Sequence, residues 1–136
     1  MKKSIVITDA DYGRLQRLIE TFRYFPQWDV HHLNALEQEI ESATIVRSSN
    51  VPENLVTMNS RVRVKDLANG HEMTYQIVFP KDADLARNRI SVLAPIGTAL
   101  LGYGAGDIVE WQVPAGIRRL QILSVEYQPE AAGAAA

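Results

Sequence analysis

The sequence predicts an α+β fold, with a short N-terminal antiparallel helical hairpin followed by an antiparallel sheet that carries one short helix. Apolar residues recur at helical spacing up to about Val46 and at alternate positions from Arg61 onward. Between the two regimes lies Ser48-Ser-Asn-Val-Pro-Glu-Asn54, a break rich in turn-forming residues. The expected organisation is a hairpin over residues 1–47, a linker over 48–54, a C-terminal domain over 55–127 and a disordered tail over 128–136.

Each element has its own signal. Ile5 and Ile7 alternate with Ser4 and Val6 in an extended arm. Thr8 and Asp11 have the spacing of a capping box, and acids in a first turn suit the helix dipole. Leu15, Leu18, Ile19 and Phe22 then form one apolar stripe, so the first helix is expected from Asp9 to Tyr24. Pro26 ends it. Asp29 can cap a second helix, with Trp28 and Leu33 at the positions of a hydrophobic staple. Leu33, Leu36, Ile40 and Ala43 follow as the seam of a two-helix coiled coil, and Glu37 and Glu41 lie on another, solvated face. An arm of roughly 16 residues is only about 24 Å long at 1.5 Å per residue. So short a hairpin has little core of its own and must lean on the rest of the chain or on a partner.

In the second half, Arg61 to Leu67 alternates, Asn69-Gly70 signals a hairpin turn, and Met73 to Phe79 returns. Pro80 to Asn88 is a polar loop in which Asp82 and Asp84 can pair with Arg87 and Arg89. The stretch from Ile90 to Asp107 reads as strand, helix and turn. Pro95 suits a first helical turn, Ile96, Ala99 and Leu100 form a buried face, and Gly102, Gly104 and Gly106 stop the helix. Asp107 to Pro114 and Ile117 to Tyr127 complete the sheet around an Ala115-Gly116 turn. One helix across about five antiparallel strands gives the α+β class.

Composition narrows the function. The chain has 136 residues, a net charge of −2 and no cysteine, which excludes disulfides, thiol catalysis and cysteine zinc sites. Its charge balance disfavours free nucleic acid as the main partner, because phosphate binding needs a basic face. Arg61, Arg63, Lys65, Arg118 and Arg119 are spaced as solvent-facing strand charges. No apolar run approaches the roughly 18 residues of a membrane span, and the N-terminus lacks the features of a signal peptide. A cytoplasmic protein is expected.

Catalytic motifs are missing: there is no nucleophile elbow, P-loop or dinucleotide fingerprint. Gly102 to Gly106 is glycine-rich but leads into a strand, as a turn does. His31 and His32 are adjacent, so they point about 100° apart on a helix. With His71 they read as surface histidines. No catalytic residue, cofactor or metal is expected. The distinctive residues are instead the aromatics of the hairpin tip, Tyr24, Phe25 and Trp28. Aromatics at an exposed tip can anchor an interface. Trp28 serves either as the staple or as a contact, and Phe25, beside Pro26, is the better contact candidate.

A resemblance adds to this reading. Asn59-Ser-Arg-Val-Arg-Val, Tyr75-Gln-Ile-Val-Phe-Pro-Lys-Asp-Ala-Asp84, Ile90 to Gly102, Gly106-Asp107, Val113-Pro-Ala-Gly116 and Val125-Glu-Tyr127 resemble the C-terminal domain of the GreA/GreB transcript-cleavage factors. The short hairpin, Val56-Thr-Met-Asn-Ser60, Ala94-Pro-Ile-Gly97 and the ending from Glu126 to Gly133 resemble the Rnk regulators of nucleoside diphosphate kinase over nearly the whole chain. The resemblance implies an FKBP-like C-terminal domain that docks on RNA polymerase near the secondary channel, with the hairpin pointing into it. It also implies docking through Leu93, Ala94, Pro95, Ile96 and Gly97. Leu93 and Ala94 depart from the more polar residues of the cleavage factors, and a charge at Leu93 is expected to weaken docking without disturbing the fold.

Cleavage factors carry two acids on a longer coiled coil to help hold a catalytic Mg²⁺, an ion that takes oxygen ligands in octahedral geometry. The tip here, Tyr24-Phe-Pro-Gln-Trp-Asp29, offers only Asp29, already suited to a helix cap. The expectation is therefore a monomeric, non-enzymatic regulator that binds polymerase, competes with Gre factors and does not stimulate cleavage. DNA association is expected to be weak and only through polymerase. A prolyl isomerase on the FKBP-like scaffold, or a direct regulator of nucleoside diphosphate kinase, is the alternative.

Overall fold

The computed structural model describes residues 4–24 and 30–133. The extended arm becomes a strand, β1 (Val6–Thr8), which pairs in parallel with β2 (Thr44–Val46) at the base of the helices. Thr8 caps α1 (Asp9–Phe22) by accepting the Asp11 N–H at 3.1 Å. The helix ends two residues before the expected Tyr24. Arg23 caps it, and its guanidinium pairs with Glu37 of α2 (Val30–Glu41) at 2.7 Å. Glu37 therefore ties the two helices together at their half-exposed edge.

The apolar stripes behave as their spacing predicts: Leu15 and Ile19 of α1 and Leu33, Leu36 and Ile40 of α2 are buried. They do not form a separate core. One continuous cluster joins them to Ile5, Ile7, Val56, Met58, Leu100 and Leu101. Each such side chain contributes roughly 1.5–3 kcal/mol when fully buried. The hairpin, too short to sustain itself, leans on its own sheet.

That sheet has the order β5-β4-β3-β7-β6, from β3 (Arg61–Asp66), β4 (Glu72–Val78), β5 (Arg89–Ser91), β6 (Ile108–Val113) and β7 (Gly116–Tyr127). β3 and β4 form the expected hairpin, closed by Gly70 at φ +77°. The expectation of a wholly antiparallel sheet is corrected at one edge, where β5 runs parallel to β4. The reason lies in the polar loop. Its two 3-10 turns, Pro80–Asp82 and Leu85–Arg87, carry the chain across instead of straight back. Asp84 caps the second turn through the Ala86 N–H and pairs with Arg87 at 3.6 Å.

Three of the strand arginines sit in cross-strand ion pairs. Arg63 meets Glu72 at 2.6 Å, Arg119 meets Glu110 at 2.8 Å, and Arg118 meets the buried Asp66. Arg61 lies over the Tyr127 ring.

A second correction concerns the tail, whose residues 128–133 are held in place. The buried Gln128 amide donates to the carbonyls of Pro52 and Leu55, both at 2.8 Å. Thr57 Oγ1 donates to Glu130 at 2.7 Å. These groups are polar partners for an otherwise unsatisfied segment, so the chain end acts as a clasp on residues 52–60.

Candidate functional site

The segment from Leu93 to Gly97 bridges β5 and α3 (Pro95–Leu100). Its turn is fixed by side chains on both sides. Leu93 N–H donates to Ser91 Oγ at 3.1 Å, Ala94 N–H donates to the Ser91 carbonyl at 3.0 Å, and Thr98 Oγ1 donates to the Val92 carbonyl at 2.6 Å. Pro95 stands at the first helical turn and is exposed. Gly97 is required by close approach, since a Cβ there would lie 2.3 Å from the Ser91 carbonyl oxygen. Leu100 is buried, and Ile96 and Ala99 pack partly against the core, as their spacing predicts.

The five candidate residues are thus not equivalent. Leu93 is only 4% exposed and belongs to the core. The expectation that a charge at Leu93 would leave the fold intact is corrected, because a buried unpaired charge is costly. Pro95 is the exposed member, Ala94 and Ile96 are half-buried, and Gly97 is buried.

Sequence reasoning missed what faces this edge. A groove of about 200 Å³ has Leu93, Pro95, Thr98 and Ala99 on one wall, and His32, Ala35 and Glu39 of α2 on the other. Glu110 and Trp111 of β6 close it. The second helix of the hairpin therefore flanks Pro95 directly.

The joint between hairpin and sheet is built from buried polar groups. The Met58 N–H donates to Asp11 Oδ2 at 3.0 Å, while Asp11 Oδ1 receives Arg14. Arg14 lies 5.5 Å from the centre of the Phe79 ring. Gly102 links three segments. Its N–H donates to the Val56 carbonyl at 2.9 Å, and its carbonyl receives the Val6 N–H at 3.1 Å. On the exposed side, Asp9 accepts both the hydroxyl and the backbone N–H of Ser48, at 2.7 and 3.2 Å. The Ser48 hydroxyl, followed by the Ala10 N–H, holds the Asp9 carboxyl below the usual carboxylate range. Burial, assisted by Asp107, pushes the Tyr103 phenol up.

Other candidates disperse. Tyr24 is 84% exposed at the end of the first arm, whereas Phe25, Trp28 and Asp29 lie outside the described residues. His31, His32 and His71 are exposed. Among the described residues no three His, Asp or Glu side chains come together to hold a metal. Gly102 to Gly106 forms a turn, pinned where Asp107 accepts the Gly104 N–H at 2.8 Å. Trp111 lines the groove beside Pro95 and Tyr127 sits under Arg61, whereas Phe79 sits under Arg14 and shares a second groove with Phe22. Among the described residues no helix is long and apolar enough to cross a membrane.

Comparison with known proteins agrees with both resemblances. A family model described as the C-terminal part of transcription elongation factor GreA/GreB matches residues 51–127, and one described as the Rnk N-terminus matches residues 3–46. The Escherichia coli K12 protein named "Regulator of nucleoside diphosphate kinase" is 36% identical over 97% of this chain and 96% of its own. The transcription elongation factor GreA of Clostridium beijerinckii is 38% identical over 66% of this chain, which spans only 56% of that protein. A solved GreA/GreB elongation factor from Nitrosomonas europaea is 39% identical and superimposes with a TM-score of 0.73, covering 93% of this chain and all of that one.

Proposed function

Because the chain belongs to the GreA/GreB transcription elongation factor family, we propose that it is a monomeric regulator that docks on RNA polymerase near the secondary channel and competes there with Gre factors. The observation that carries this reading is Pro95, an exposed residue at the start of a helix whose opposite side is anchored by Leu100 and by the close contact of Gly97 with Ser91. Such an edge is rigid, and rigid presentation lowers the ordering cost of binding. The domain that carries it is assigned as FKBP-like, and the paired helices as a short coiled coil that occupies the channel entrance.

The hairpin is read as occupying without cleaving. Its tip sequence has one acid, whereas a pair is required to help hold Mg²⁺. In a purified system with stalled polymerase, added protein is expected to leave transcript cleavage at its basal rate while slowing cleavage stimulated by a Gre factor. Stimulated cleavage would refute this part of the reading.

A second reading follows from the name of the Escherichia coli relative, "Regulator of nucleoside diphosphate kinase". Direct binding to that kinase would appear as co-elution of the two purified proteins. A prolyl isomerase is less favoured: the groove that holds Phe22 and Phe79 also carries Arg14, Arg17 and Lys81, and Trp111 and Tyr127 lie apart from it.

A further inference from the structure

We propose that the opposite flank of the hairpin holds a second docking site, which takes an acidic peptide segment with apolar anchors from a protein partner. A groove of about 380 Å³ lies between α1 and the corner after β4. Leu18, Phe22, Phe79 and Pro80 contribute its apolar lining, and Arg14, Arg17 and Lys81 its cations.

Charge complementarity selects the occupant. Arg14 is committed to Asp11 and to the face of Phe79. Arg17 and Lys81 are exposed, and the Arg17 Nε reaches only the Gly13 carbonyl, at 3.4 Å. Among the described residues no carboxylate pairs with either cation. The groove beside Pro95 instead carries Glu39 and Glu110, the latter paired with Arg119. An acidic segment would therefore distinguish the two flanks, with desolvation of the apolar lining adding affinity and the cations setting register. A phosphate or a nucleotide tail would engage the cations alone and leave Leu18, Phe22, Phe79 and Pro80 uncovered. The net charge of −2 likewise disfavours a nucleic-acid strand.

The test uses the full chain and a blocked, fluorescent peptide that alternates Asp or Glu with Leu and Phe, read by polarisation. Saturable binding is expected, weakened about tenfold by Arg17→Glu or Lys81→Glu and by raised salt. Circular dichroism of both variants should match the parent, since both positions are exposed. Amide shifts should appear at residues 14–22 and at Phe79 and Lys81. Pro95→Ala should leave the peptide affinity unchanged, so that failure here is separable from failure of polymerase docking. The proposal is overturned by any of four results: no binding at millimolar peptide, affinity indifferent to both charge reversals, equal binding of a peptide with Lys in place of its acids, or displacement of the peptide by ATP or a single-stranded oligonucleotide.

Discussion

Asp11 and Met58 lie 47 residues apart and are joined by a buried 3.0 Å hydrogen bond from the Met58 N–H to the Asp11 carboxylate. This bond crosses from the first helix to the segment that leads into the sheet. It fixes the base of the hairpin on the domain that carries Pro95.

Asp11→Ala should therefore destabilise the protein by about 2–3 kcal/mol, because a charge-assisted bond is lost and a buried N–H is left unpaired. Urea unfolding of the two proteins measures the difference. Asp11→Asn, which retains an acceptor of similar shape, should cost less. Equal stability of the alanine variant and the parent would show that the bond does not hold the joint.

Gly102 sits at φ +84°, and a Cβ there would lie 2.6 Å from Ile5 Cβ. Backbone strain alone costs roughly 1–3 kcal/mol at such a position, and the clash with Ile5 adds to it. Gly102→Ala should lower the thermal midpoint and loosen β1, seen as faster amide exchange at Val6, whose N–H donates to the Gly102 carbonyl. Unchanged protection of Val6 would contradict this.

Stability should also fall at alkaline pH through Tyr103. Burial raises its phenol above the ordinary value of 10.0, so the unfolded chain releases this proton at lower pH than the folded one. The contribution is complete below the unfolded pKa and is lost as pH rises through the folded one. Unfolding free energies across the alkaline range should show a decline for the parent that Tyr103→Phe lacks, once the shared decline from other groups is subtracted. Parallel curves would rule out Tyr103 as the source.

At the proposed docking edge, Leu93→Asp should cost about 3 kcal/mol or more, because it places an unpaired charge in the core. Pro95→Ala, at an exposed first-turn position, should stay within about 0.5 kcal/mol of the parent. Chemical denaturation separates the two. A stable, fully folded Leu93→Asp protein would show that this side chain is not a core residue.

Much of the fold was legible because its determinants are local. The Thr8 cap and the Asn69-Gly70 turn act within a few residues of themselves, and the helical spacing of Leu15 and Leu33 marks which faces are buried. What escaped depends on distant partners. Asp11 looked like half of a capping box, yet its carboxylate turns to Met58. Ile7 looked like part of an arm because its opposite residue, Ile45, comes after two helices. Nothing near Gln128 announces the carbonyls of Pro52 and Leu55. The resemblance pointed to Leu93–Gly97 as a docking segment, but the burial of Leu93 and the presence of α2 beside Pro95 follow only from packing.

The most direct measurement is displacement of a fluorescently labelled Gre factor from core RNA polymerase by this protein. The parent is expected to displace it at micromolar concentration, and Pro95→Ala to require about tenfold more. No displacement by the parent, or equal displacement by a folded Pro95→Ala protein, would contradict docking through this edge.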